Sequence, residues 1–275
     1  MAGNPQQLLY LYGITTPNSA AHALITARGV PGIELQEPLF PVEAGGLIAA
    51  VSRVPAATFD EAPLNDLVAD LSRLTPYAVR HEEAVRALLG SALIPMTFGA
   101  VYRDPEGVAA LLEERTGEFR RLLDRLEGRQ EWGLKVFAQA QRIREATEAE
   151  SPALLALAGE AAAATPGHAY LLTKKRDRML AEESSRLAAA ALAEILHRLA
   201  ALSADAVQDD PGPDQPGAEQ LALKAAFLVD TAAAEPFCAT AVELERAHAP
   251  HGLCLELSGP WAPYSFVRTP GAHDA

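Results

Sequence analysis

Little in this chain is of a kind that announces chemistry. There are 2 cysteines in 275 residues, Cys238 and Cys254, too few for a disulfide scaffold and in keeping with a reducing compartment. Basic side chains are in deficit: 23 Lys and Arg stand against 36 Asp and Glu, for a net charge of −13. A chain of that sign grips phosphate backbones poorly, so nucleic acid is not an expected partner. No apolar run approaches the ~20 residues that cross a bilayer, and no membrane span is expected. Met1 to Gln7 has neither a basic n-region nor an apolar h-region, so the expected location is cytoplasmic. A Walker loop, a Gly-x-Gly-x-x-Gly turn and a Gly-x-Ser-x-Gly elbow are all missing. Aromatic residues make up only 6% of the chain, so any place where they gather carries weight.

What is present is a chain that should fold, with 49% apolar residues and length enough for two cores. Gln7 to Ile14 reads as a strand, and Ser19 to Arg28 as a short helix stopped by Gly29. Ile33–Val42 and Leu47–Val51 read as strands joined by a Gly45-Gly46 turn. Phe59–Leu71 reads as a helix, and Thr75-Pro76 as the cap and first residue of another. Short extended pieces surround Pro95, and a helix is predicted from Asp104 to about Leu126. This is the βαββαβ order of a ferredoxin-like sandwich.

Glu127-Gly128-Arg129 marks a boundary, giving domains 1–128 and 129–275. Beyond it come a strand at Glu131–Gln139, a charged segment and an alanine-rich one. A long helix is predicted over about Tyr170–Ser203, with Leu180, Leu187, Ala191, Leu192, Ile195, Leu199 and Leu202 on its core face. Asp209 to Gly217 has loop composition. A strand at Leu221–Val229, a helix at Ala232–Ala249 and a strand from Leu253 complete a second βαββαβ order, with a short strand at Ala204–Val207. The expected fold is therefore α+β: two tandem ferredoxin-like domains, the second with a long helix and an extended C-terminal tail.

Three clusters invite a chemical role. His248-x-x-His251-x-x-Cys254, with Cys238 upstream, has ligand types suited to zinc. Pro250 and Gly252 lie between them, however, and an odd spacing would turn His251 and Cys254 to opposite faces of a strand, so no metal site is expected. His81-Glu82-Glu83 lacks the second histidine of a zinc helix. Lys174-Lys175-Arg176-Asp177-Arg178 has no glycine-rich loop before it and reads as a solvated helix face or a face toward an acidic neighbour. No catalytic residue and no cofactor are expected.

The most informative stretch is the last. Leu253, Leu255 and Leu257 alternate in a strand that Gly259-Pro260 is expected to stop. Two prolines then frame Trp261-Ala262, and Tyr264 and Phe266 follow. Gly259-Pro260-Trp261-Ala262-Pro263-Tyr264-Ser265-Phe266-Val267 resembles the C-terminal motif of the gas vesicle protein F/L family (GvpF/GvpL). Leu9-Tyr10-Leu11-Tyr12-Gly13-Ile14, His81-Glu82, Ile94 to Tyr102 and Glu131-Trp132-Gly133-Leu134-Lys135-Val136 resemble further pieces of the same family, in the same order. Thr97 and Ala262 stand where that family often has arginine and proline.

The resemblance implies a non-enzymatic accessory or minor structural protein of gas vesicles, the gas-filled shells that make cells buoyant. Its partners would be the shell protein and other accessory proteins, its place the cytoplasm and the vesicle. Trp261, Tyr264 and Phe266 are the expected partner-binding residues, because rigid aromatic anchors supply most interface energy; the competing expectation is that the rings close a core. Two other classes fit the composition: a ligand-sensing protein built from tandem ferredoxin-like domains, and, more remotely, a hydrolase using His81.

Overall fold

The computed structural model describes residues 7–212 and 219–267. By internal contacts the described residues divide into two units: 7–131 together with 260–267, and those within Trp132–Gly259. Sequence reasoning grouped 129–275; the contacts place the aromatic tail with the first unit.

The first unit runs β1 (Gln7–Thr15), α1 (Ala20–Thr26), β2 (Phe40–Ala44), β3 (Leu47–Pro55), α2 (Ala56–Phe59), α3 (Glu61–Ala69), α4 (Leu71–Ala87), β4 (Ile94–Pro95), β5 (Val101–Tyr102), α5 (Pro105–Glu114) and α6 (Thr116–Leu126). Its sheet has the order β2-β3-β1-β4, and β5 also pairs with β1. The pairings of β1 with β3, β4 and β5, and of β2 with β3, are antiparallel. Gly45 and Gly46 turn the β2–β3 hairpin at φ 59° and 69°, both in the left-handed region that a two-residue turn of this kind requires.

Strand β1 is central and apolar on both faces: Tyr10, Leu11, Tyr12 and Ile14 are fully buried. Its register against β3 shifts between Leu11 and Gly13, so Tyr12 sits on a bulge, a device that re-aims side chains. A Cβ on Gly13 would come within 2.8 Å of the Ile94 carbonyl oxygen. The glycine is what lets β4 approach.

Several boundaries differ from expectation for physical reasons. Ile33 is buried, but residues 33–37 form bends and a turn, closed by an isolated bridge between Pro31 and Pro38, and the strand starts only at Phe40. Helix α4 begins at Leu71, five residues before Pro76, because the Asp70 carboxylate accepts from the backbone N–H of Ser72 and Arg73. Thr75 is not the cap; its hydroxyl donates back to the Leu71 carbonyl. The predicted helix to Leu126 is broken at Arg115 into α5 and α6.

The second unit is built from β6 (Arg129–Ala138), α7 (Ala140–Glu150), α8 (Pro152–Ala163), α9 (Pro166–Ala200), β7 (Asp205–Asp209), β8 (Gln220–Asp230), α10 (Ala234–His248) and β9 (Leu253–Trp261). Its sheet order is β7-β8-β6-β9. Leu134 and Val136 of β6, Phe227 and Val229 of β8, Ile195 and Leu199 of α9 and Phe237 of α10 share one core. Strand β9 does not stop at Gly259 but runs through Pro260. It is the edge of its sheet, where a missing N–H is tolerated. Asp209 closes β7, and residues 213–217 of the expected loop lie outside the described residues. The fold is α+β, as expected.

Candidate functional site

Tyr10, Tyr12 and His81, polar side chains buried in the first unit, gather in one place. Tyr10 and Tyr12 come from β1, with ring centroids 4.9 Å apart. His81, on the inner face of α4 and only 2% exposed, stacks on Tyr12 at 5.9 Å and 18° and meets Tyr10 edge-on at 5.6 Å. Phe98 closes a further edge contact with His81 at 6.0 Å. Such rings each bury a large apolar area and, arranged edge to face, add a little beyond it.

The hydrogen bonds run in one direction. The backbone N–H of Gly99 donates to the Tyr10 hydroxyl at 3.1 Å. That hydroxyl lies 3.0 Å from His81 Nδ1, and His81 Nε2 lies 3.2 Å from the Tyr264 hydroxyl. Burial pushes the Tyr10 phenol far up, so it stays protonated. Burial lowers His81 to about 4, partly offset by the Met96 backbone, so the ring is neutral and carries one proton. The Tyr264 hydroxyl also bonds the Glu82 carboxylate, to which it can only donate, so it accepts from His81 Nε2–H, and Nδ1 accepts from the Tyr10 O–H. Burial, and then the charge of Glu82, hold the Tyr264 phenol protonated as well. Alongside, the Tyr12 hydroxyl accepts from Ile33 N–H at 2.6 Å and meets Ser52 at 2.9 Å; burial pushes this phenol up to about 12.

Tyr264 belongs to the returning C-terminal segment, and a second anchor holds that segment. Glu131, 8% exposed, accepts from the backbone N–H of Ser265 at 2.9 Å through Oε2 and from its hydroxyl at 2.8 Å through Oε1. A two-point grip of this kind satisfies a buried carboxylate and fixes the peptide's direction. Ala262 enters the core with Tyr10, Tyr12, Phe59 and Leu93, and Tyr264 packs on it.

The expected partner-binding residues thus separate. Phe266 is buried, 4% exposed, and Tyr264 is half-buried with its hydroxyl on His81. Trp261 keeps 36% of its surface exposed, its ring under the Arg86 guanidinium at 5.3 Å, a cation–π geometry. Glu131, Gly99 and Arg86 received no role from sequence reasoning. Glu131 and Gly99 did stand inside the quoted motifs, which was the signal available.

His81 has no open face toward a substrate, so the cluster's chemistry is that of a clasp. Among the described residues no group of three or more His, Cys, Asp or Glu is placed to hold a metal ion. In the second unit His251 Nε2 lies 3.1 Å from Glu150 and His248 Nε2 3.7 Å from Glu194. Cys254 Sγ faces Gln139 instead, and Cys238 packs at the edge of the second core. No helix among the described residues is long and apolar enough to cross a membrane.

The family model described as gas vesicle synthesis protein GvpL/GvpF matches residues 8–268. A protein named gas vesicle protein L from Streptomyces sp. (strain CB03234) is 35% identical over 95% of this chain and 93% of its own length. Gas vesicle protein F from the same strain is 30% identical over 94% of this chain and 99% of its own. The crystal structure of the gas vesicle protein GvpF from Anabaena sp. PCC7120 superposes with a TM-score of 0.68 at 18% identity, covering 96% of this chain and all of that one. GvpF from Microcystis aeruginosa gives 0.63 at 19% identity, covering 95% of this chain and 99% of that one. At those identities the likeness shows a shared fold.

Proposed function

The chain belongs to the gas vesicle synthesis protein GvpL/GvpF family, and from that premise we propose that it is a non-enzymatic accessory protein that binds the vesicle's shell protein and fellow accessory proteins during assembly. The observation that carries this is the match of the family model across residues 8–268. A non-enzymatic role is supported by the burial of His81, whose two ring nitrogens are both taken up by tyrosine hydroxyls of the first unit. The repeated strand order, second-third-first-fourth within each unit, supports reading both as ferredoxin-like sandwiches.

The partner surface proposed from the aromatic tail narrows to Trp261. Tyr264 and Phe266 are occupied in holding the segment down, while the Trp261 ring is held by Arg86 with one part open. A rigidly held aromatic loses little freedom on docking. Trp261→Ala is expected to keep its melting temperature and to weaken capture of purified shell protein by at least about fivefold, the loss of a modest hot spot. Supplied to cells lacking the native gene, it should yield fewer intact vesicles by electron microscopy. Unchanged capture and unchanged vesicles would remove Trp261 from the partner surface; normal vesicles in the gene-deleted cells themselves would remove the assembly role.

A further inference from the structure

The core stripe of α9 outlasts its core. Leu187 and Ala191 fall on the face predicted to be buried, yet Leu187 is 39% exposed. Both line a cavity of about 290 Å³ walled on the other side by Ile143 and Ala146 of α7 and by Leu253 of β9. Alanines at wall positions leave the space open. The volume stands at the low end of the range for ligand sites, ~300–1,000 Å³.

The mouth carries charge of one sign. Glu150, at the end of α7, and Glu194, on α9, have side chains 64% and 52% exposed. His251 and His248 stand beside them, and all four line the cavity. His248 Nε2 is buried without a hydrogen-bond partner; at 3.7 Å the Glu194 carboxylate is too far to supply one. A buried ring nitrogen left this way carries a desolvation cost that a polar group entering the mouth would relieve.

We propose that this cavity is a docking site for a basic amphipathic helix of a partner protein, which inserts a leucine-like side chain and sets a lysine or arginine one turn away against Glu150 and Glu194. Each part of the occupant answers a feature of the site. The apolar walls take the inserted side chain and the methylene stem of the base. The two carboxylates take its cationic head, and an ammonium has donors to spare for His248 Nε2 in the tautomer that carries the ring proton on Nδ1. The charge complementarity commits the occupant: an acidic helix would set like charge against both carboxylates, and a neutral one would bring no cation to them. The inference concerns the second unit alone and does not depend on the Trp261 surface or on vesicle assembly.

The test is a calorimetric titration of the full chain with two synthetic helical peptides, one with leucines on one face flanked by lysines, the other identical except for glutamate in place of each lysine. The lysine peptide is expected to bind and the glutamate peptide not. Glu150→Gln and Glu194→Gln, each with its melting temperature unchanged, should weaken binding by about two- to fivefold, the range of exposed ion pairs. Ala191→Leu should fill the cavity and abolish binding while the protein stays folded. Equal binding of both peptides, no binding of either, or binding unaffected by Ala191→Leu would overturn the proposal. So would tight binding of spermidine with none of the peptide, which would make the mouth a small-cation site, or self-association lost in Glu194→Gln, which would make the occupant a second copy of this chain.

Discussion

His81 shows how a single residue can be visible in a sequence and its role not. The His-Glu pair stood out, but its partners lie 71 positions before it at Tyr10 and 183 after it at Tyr264, beyond any local spacing rule. Its chemistry follows from burial, and burial sets a pH dependence. The folded protein holds His81 neutral down to about 4, whereas the unfolded chain protonates it below its ordinary value of 6.5. The unfolded state therefore binds more protons in that window, and stability, whole above it, falls as pH drops through it. The loss attributable to this group should reach ~3 kcal/mol. Glu82, Tyr10, Tyr12 and Tyr264 surround the ring, and the phenols stay protonated throughout this range. His81→Gln should lower stability at neutral pH yet flatten this segment of the curve, read as urea midpoints at about pH 7 and about pH 4.5. A wild-type and variant difference that does not change with pH would contradict the assignment. At the second anchor, Glu131→Ala would remove both hydrogen bonds to Ser265; a cost of about 1–3 kcal/mol is expected in denaturant melts.

At the scale of elements, periodicity served well where one face alone is buried. The alternation in β6 put Trp132, Leu134, Val136 and Ala138 together, and all four meet the second core. It served poorly where a local signal met a stronger one. Thr75-Pro76 has the form of a helix start, but the Asp70 cap begins α4 earlier and leaves Pro76 inside. Gly259-Pro260 has the form of a strand end, but an edge strand accepts it. The Leu-Tyr-Leu-Tyr-Gly motif was legible as a strand, while the reason for its glycine was not, since that depends on β4, some 80 residues later. Gly13→Ala should press a methyl group onto the Ile94 carbonyl and cost about 1–3 kcal/mol in a thermal or urea melt, with β4 shifted from β1. An unchanged melting temperature would show that β4 can give way freely.

Across the whole molecule, the quoted motif pieces turn out to be parts of one construction. Tyr10 and Tyr12, His81, Phe98 with Gly99, Glu131, and Ala262 with Tyr264 and Ser265 come from five separate stretches and meet in the first unit. That explains why the C-terminal motif can be rich in aromatics without being an open sticky surface: Phe266 is buried and Tyr264 half-buried, and of its three rings Trp261 is the exposed one. The tail's presence was legible from its prolines and rings, but its destination was not, because nothing in the residues 260–267 says which of two cores they close. They close the first. Hydrogen–deuterium exchange on the full chain and on a chain ending at Gly259 distinguishes the two. Truncation is expected to raise exchange in β1 and in α4 around His81, while β8 and the Ile195–Leu199 turn of α9 keep their protection. Unchanged protection in β1 and α4, or loss centred on β8, would contradict it.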